Sequence, residues 1–350
     1  MLLNQILIFV KCENEMTNNS LNFIKLVVAI KVYLGHAVTH LKISVPYIFR
    51  IYDLFVGVPI FFIISGFLIW GSIKDSYNYK EFLKRRLWRI YPELWFAVCL
   101  SITTIILLKS YILNEPYTIP VFVLTQATIF QFYTPEVLRN FGCGVPNGSL
   151  WTITIIVQSY VALFTIYKYY KNKKIEKYLC LFILLCITSI CCTILEKYVP
   201  SLIYKIVSVT FIPYLWLFLL GVILNEFYSR FCTIIVKHCW FFAFASVLIR
   251  KIGLDFDIMG YYGVFTNVLM ALAIIGFAFR YNHLNLSYDF SYGIYLYHMV
   301  IINVFVELGF LYEYKYLFVC LVITILVSII SYFTIGSFCR INRKKVKVVS

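Results

Sequence analysis

The chain has 350 residues, 62% hydrophobic and 13% charged, with 31 basic against 16 acidic side chains and a net charge of +15. A soluble domain runs to about 25% charged residues, so this composition excludes a string of ordinary water-soluble domains, a disordered chain and a soluble nucleic-acid binder. The basic excess fits the loops of a membrane protein, where Lys and Arg collect on the cytoplasmic side.

Leu2 to Val10 is apolar but short, without a basic leader before it or a small-residue cleavage site after it, so it does not read as a cleaved signal. Met16 is a candidate alternative start, and residues 1–20 read as an N-terminal extension. Apolar runs near 20 residues long, the length a helix needs to cross about 30 Å of hydrocarbon, then follow at 21–41, 55–71, 91–108, 149–167, 178–195, 203–224, 232–249, 260–279, 289–307 and 316–336. They do not alternate apolar with polar, which excludes a transmembrane barrel. The expectation is an all-α, polytopic integral membrane helical bundle of about ten transmembrane helices over 21–336, with a basic cytoplasmic tail at 337–350. Both termini are placed in the cytoplasm.

Charge fixes that orientation. With ten spans, 19 Lys and Arg fall in the cytoplasmic segments and 8 in the outer loops. The apolar segment 119–133 carries two glutamines and either spans or lies in the interface. Counting it as an eleventh span would put the basic loop 168–177 and the basic tail outside, against the positive-inside bias. The segment 109–148 is therefore expected to be the one sizeable extracytoplasmic element. Eleven cysteines form no CxxC pair and no His/Cys cluster with metal-ligand spacing, so no metal is expected.

Ionisable groups inside spans are costly and are functional candidates by default. The first span holds Lys25, Lys31, His36 and His40. Lys25 and His36 are eleven residues apart, three turns plus about 20°, so they share a helix face with about 16 Å between them. His40 lies one turn further along that face, Lys31 lies off it, and Lys25 also suits a boundary anchor. Gly35 is expected to allow close helix approach beside His36. A second cluster runs from Lys84 to Pro92. It serves either as a positive anchor with an aromatic belt or as an anion cradle, because Arg86 and Arg89 at i, i+3 present forked guanidiniums suited to phosphate. Two later spans open on dense hydrogen-bonding runs, Asn147-Gly148-Ser149-Leu150-Trp151-Thr152 and Asp289 to His298. Asn147-Gly148-Ser149 also matches a glycosylation sequon.

Taken together, five segments resemble the acyltransferase family 3 membrane proteins, which modify envelope sugars such as O-antigen and capsule. Lys25 to His36 is similar to the family's Arg-x10-His signature, with lysine for arginine. Gly57 to Ile69, including Ser65-Gly66-Phe67, resembles its second-span motif. Phe82 to Pro92 resembles its Arg-x-x-Arg and R-I-Y-P segment. Asn147 to Tyr160 resembles N-G-x-L-W-[ST], and Ser291 to His298 resembles S-Y-G-I-Y-L-x-H. Where the family usually reads W-S-L-S-V-E-E-Q-F-Y, this chain has Ile156 and Val157 in place of the paired acidic residues.

The resemblance implies a multi-pass protein of a bacterial inner membrane. It would take an acyl group, most often acetyl, from cytoplasmic acyl-CoA and transfer it to a hydroxyl of a cell-surface glycan or lipid-linked sugar. Its partners would be the lipid bilayer, the glycan acceptor and acyl-CoA. On this reading Arg86, Arg89 and Lys25 hold the coenzyme phosphates. His36 acts as general base or transient acyl carrier, both roles that imidazole performs near neutral pH. An oxyanion donor is also needed; Ser65, Trp151 and Tyr292 are the candidates. His298 is either a second base or a hydrogen-bonded structural histidine. The competing expectation is an inactive relative, or a carrier of lipid-linked saccharides, with the same fold.

Overall fold

A computed structural model describes residues 18–46, 55–76, 78–261 and 263–338. The extension 1–17 with Met16, Arg50, and the basic tail from 339 onward lie outside the described residues. Among the described residues the fold is helical, relieved by one antiparallel bridge between Ile258 and Tyr261. In chain order the helices are α1 (Leu21–His40), α2 (Gly57–Lys74), α3 (Tyr79–Leu108), α4 (Thr118–Gln126), α5 (Trp151–Tyr170), α6 (Ile175–Leu195) and α7 (Ser201–Ser208). They continue with α8 (Leu215–Glu226), α9 (Tyr228–Lys237), α10 (Cys239–Ile252), α11 (Val264–Arg280), α12 (Ser291–Glu307) and α13 (Tyr314–Ser331), which runs into a π-turn at Tyr332–Gly336.

Every one of the ten apolar runs contains helix. Among the described residues, five helices are long and apolar enough to cross a membrane: α1, α2, α3, α6, and α13 with its π-turn. The number is six if α8 and α9, bent by 98° at their junction, form one broken span. The expected span 203–224 is itself split into α7 and α8, because Pro213 has no N–H to donate back along a helix. Backbone freed in this way must be satisfied internally when it lies in hydrocarbon. Gln158 does so at both ends of the break, accepting from the Phe211 N–H at 2.9 Å and donating to the Val209 carbonyl at 3.5 Å. Ser189 donates to the Pro213 carbonyl.

The chain divides into two compact units. The first takes residues 18–28, 55–76 and 158–289. Its centre is the crossing of α2 and α8, which two glycines bring close. A Cβ on Gly66 would run into the Phe218 carbonyl, and one on Gly221 into the Ile63 carbonyl. The Ser65-Gly66-Phe67 motif is thus first of all a packing motif. Beyond the crossing, the Trp70 indole donates to Glu226 at 2.7 Å, and Lys74 pairs with the same carboxylate at 2.5 Å. Gly221→Val is expected to force the two backbones apart at a cost of about 1–3 kcal/mol or more. The thermal midpoint in detergent measures this. Gly221→Ala should lower it too, because the first added carbon already meets backbone.

The second unit takes residues 29–46, 78–157 and 290–338. Here α12 is buried along most of its length and packs on α3 and α13. α3 starts at Tyr79, capped by the Asn78 side chain, which accepts from the Glu81 N–H at 2.9 Å. The Lys84–Arg89 cluster therefore lies on the first turns of a 30-residue helix and not in a loop before a span at 91. Pro92 removes one donor inside α3. Two hydroxyls from α12 brace that turn: Tyr292 donates to the Ile90 carbonyl at 2.9 Å and Tyr297 to the Glu93 carbonyl at 3.4 Å.

The segment 109–148 packs against the bundle. After the short helix α4, the turn that follows reaches back to α3: Trp95 donates to the Ala127 carbonyl at 3.0 Å and Tyr91 to the Thr128 carbonyl at 3.4 Å. Trp95 lies well back from the end of α3 at Leu108, by about 20 Å of helix. Segment 119–133 thus folds back against the bundle, with Thr154 of α5 donating to the Ile129 carbonyl at 3.1 Å. The following residues descend along α12. Glu307 accepts from the Gly142 N–H at 2.6 Å and pairs with Lys109 at 2.9 Å, which holds the lysine above its ordinary pKa. Asn303 accepts from the Cys143 N–H at 2.7 Å and donates to the Val145 and Pro146 carbonyls at 2.9 and 2.8 Å. Irregular backbone inside a bundle is tolerated where protein buries it and satisfies its polar groups.

Candidate active site

Three imidazoles meet in the second unit. His36 and His40, one turn apart on α1, stack with ring centroids 5.7 Å apart and planes 3° from parallel. His36 also faces His298 of α12, centroid to centroid 5.3 Å at 40°. His298 is fully buried. Its Nδ1 lies 3.1 Å from the Ile294 carbonyl and 2.9 Å from the Tyr295 carbonyl, the i−4 and i−3 positions of its own helix. Its Nε2 is buried with no hydrogen-bond partner among the described residues. Gly35 does not act as a close-packing residue: a Cβ there meets nothing within 4 Å among the described residues.

The two late motifs build the wall behind this cluster. Asn147 donates to the Leu296 carbonyl at 2.8 Å, and Ser149 donates to the Tyr295 carbonyl at 3.2 Å. In return Tyr295 donates to the Ser149 carbonyl at 2.8 Å and shares a 2.7 Å hydroxyl bond with Thr152. The dense polar runs are therefore bonded to each other, which is why they carry so many donors inside apolar spans. Asn147 is 5% exposed with its amide committed, so the sequon is a chance match.

The other candidates take distinct places. Arg86 is buried with its guanidinium 5.8 Å from the Phe82 ring, whereas Arg89, one turn on, is exposed. Neighbouring Arg85 is paired with Glu81 at 3.5 Å. Tyr292 spends its hydroxyl on the Ile90 carbonyl. Trp151 is half-buried in the first turn of α5, and Ile156 and Val157 follow on that helix without a carboxylate. In the first unit, Lys25 is buried and forms an ion pair with Asp289, and Ser65 is half-buried beside Gly66. Sequence reasoning missed Gln158, Asn303 and Glu307 as organising residues. The available signal was an amide or carboxylate inside or at the end of an otherwise apolar run. Among the described residues no group of three or more His, Cys, Asp or Glu is disposed to hold a metal ion.

An imidazole pair with one ring fully buried suits proton transfer, and the guanidiniums of α3 suit an anionic group. The profile described as an acyltransferase domain matches residues 18–333. Nodulation protein 10 of Rhizobium leguminosarum bv. viciae is 26% identical over 321 residues, covering 83% of this chain and 84% of that protein. A putative peptidoglycan O-acetyltransferase, YrhL of Bacillus subtilis (strain 168), is 25% identical over 115 residues, 31% of this chain and 18% of that one. No solved structure matches. With the profile match extending over nearly the whole helical region, the chain belongs to the acyltransferase domain family of multi-pass membrane proteins.

Proposed function

We propose that this protein is an O-acyltransferase of a bacterial inner membrane that moves an acyl group, acetyl in the first instance, from cytoplasmic acyl-CoA to a hydroxyl of a cell-surface glycan or lipid-linked sugar. The observation that carries the reading is His36 set against the buried His298 within the polar bracket formed by Asn147–Thr152 and Ser291–His298. In this mechanism His36 takes the proton of the acceptor hydroxyl as it attacks the thioester carbonyl, or carries the acyl group briefly before passing it on. The hydroxyl proton ends on the departing thiol. Ser65, Trp151 and Tyr292 are the oxyanion candidates; the Tyr292 hydroxyl donates to the Ile90 carbonyl.

The donor set fits a coenzyme diphosphate. Arg86 and Arg89 are planar forks one turn apart, one buried and one at the surface. Lys25, the third cation of this set, forms an ion pair with Asp289. The distribution of basic residues supports a cytoplasmic position for this end of α3. Arg89→Ala is expected to raise KM for acetyl-CoA about tenfold while kcat changes little, the mark of binding that is equal in ground and transition states. Steady-state kinetics in proteoliposomes measures it.

The second reading, an inactive relative or a carrier of lipid-linked saccharides, draws on Ile156 and Val157, which leave no carboxylate where the family usually has two. Membranes containing the protein, supplied with acetyl-labelled acetyl-CoA, separate the two readings. Label in glycan above an empty-vector control supports acyl transfer, and its absence with well-folded protein supports the carrier.

A further inference from the structure

We propose that His298 is the positioning residue of the site: its Nε2 accepts a hydrogen bond from His36, fixing which nitrogen of His36 faces the acceptor hydroxyl. The inference rests on the acyl-transfer reading above and adds to it the division of labour between the two rings. Both groups around His298 Nδ1 are backbone carbonyls, which only accept, so Nδ1 carries the proton and donates to Ile294 and Tyr295. In the neutral ring Nε2 then bears a lone pair and no hydrogen, and it cannot serve as an oxyanion donor. That lone pair is buried and unpartnered among the described residues, a costly arrangement in an apolar bundle.

The ring that can satisfy it is His36. Two imidazoles joined by an N–H···N bond of about 2.9 Å have centroids about 5 Å apart, and these stand 5.3 Å apart with a 40° tilt. A small rotation of His36 about its side chain closes the bond, and catalytic hydrogen bonds are often misaligned before substrate arrives. With one nitrogen donating to His298, the other nitrogen of His36 is left as the lone pair that takes the hydroxyl proton. During transfer the acceptor O–H bond breaks and the ester C–O bond forms as the C–S bond breaks. The proton rests on His36, whose other N–H stays on His298, and then passes to the thiolate. This follows the logic of a base held by an orienting acceptor, with a tautomer-locked imidazole in place of a carboxylate.

The test uses the full chain, labelled with 15N-histidine and reconstituted in nanodiscs. His298→Asn keeps an N–H at the Nδ1 position for the Ile294 and Tyr295 carbonyls but removes Nε2. In the wild type, NMR should show a 15N–15N coupling across a His36 to His298 hydrogen bond and one His36 tautomer. In His298→Asn, His36 should become a mixture of tautomers, and kcat with acetyl-CoA should fall about 100-fold with KM unchanged. A wild-type His298 Nε2 that resonates as an unbonded nitrogen overturns the proposal, and that arm requires no variant to fold. So does a folded His298→Asn with wild-type kcat, which would make His298 purely structural. If the coupling is present but the wild type transfers no acyl group, the pairing stands and the acyl-transfer reading fails.

Discussion

Replacing His36 with alanine is expected to lower acyl transfer by about 10²–10⁴-fold, the usual worth of a positioned proton-transfer group, while leaving the protein folded. The reason for the second half is geometric. His36 is half-buried on α1 beside Gly35, whose surroundings are open, and its ring contacts are with two other imidazoles. Losing it removes no hydrogen bond that holds the late motifs together, because those bonds run between 147–152 and 295–296. Thermal stability in detergent and transfer of label from acetyl-CoA, measured on the same preparation, separate the two effects. Activity within a factor of a few of wild type would show that His36 does not handle the proton.

Asn303→Leu is expected to act in the opposite way, through stability. Asn303 is fully buried and makes three hydrogen bonds to the irregular stretch, to Cys143, Val145 and Pro146. Leucine matches its size but leaves one N–H and two carbonyls unpaired, each costing about 1–3 kcal/mol when desolvated. Some relaxation is available, so a loss of about 3–5 kcal/mol is expected in all. Gly142 adds to the constraint, since its φ is +58° and its α-carbon packs on the Asn303 amide. Denaturant unfolding from mixed micelles measures the loss. Activity should fall with it, because residues 147–152 hang from the same helix.

What the sequence makes legible and what it hides divide along a physical line. Side-chain chemistry is legible. The five resembling segments single out His36, His298, Arg86, Arg89 and the polar runs at 147–152 and 289–298. Backbone acceptors are not legible, because every residue offers a carbonyl and only the fold decides which ones need a partner. The uses of Gln158, Asn303 and the tyrosines 292, 295 and 297 therefore emerge only from the structure, where each bonds a backbone carbonyl or N–H of a neighbouring segment. The packing of 119–133 is hidden for a related reason. Its apolar composition suits an interface or a span equally, and its contacts with Tyr91, Trp95 and Thr154 are made through backbone carbonyls.

Acyl transfer to an envelope glycan is tested most directly by mass spectrometry of those glycans from cells with the gene, without it, and with the His36→Ala form. A His36-dependent transferase predicts an acyl-sized mass increment in the first sample, released by mild base and missing from the other two. Identical glycan masses in all three, with the protein present in the membrane, would contradict it.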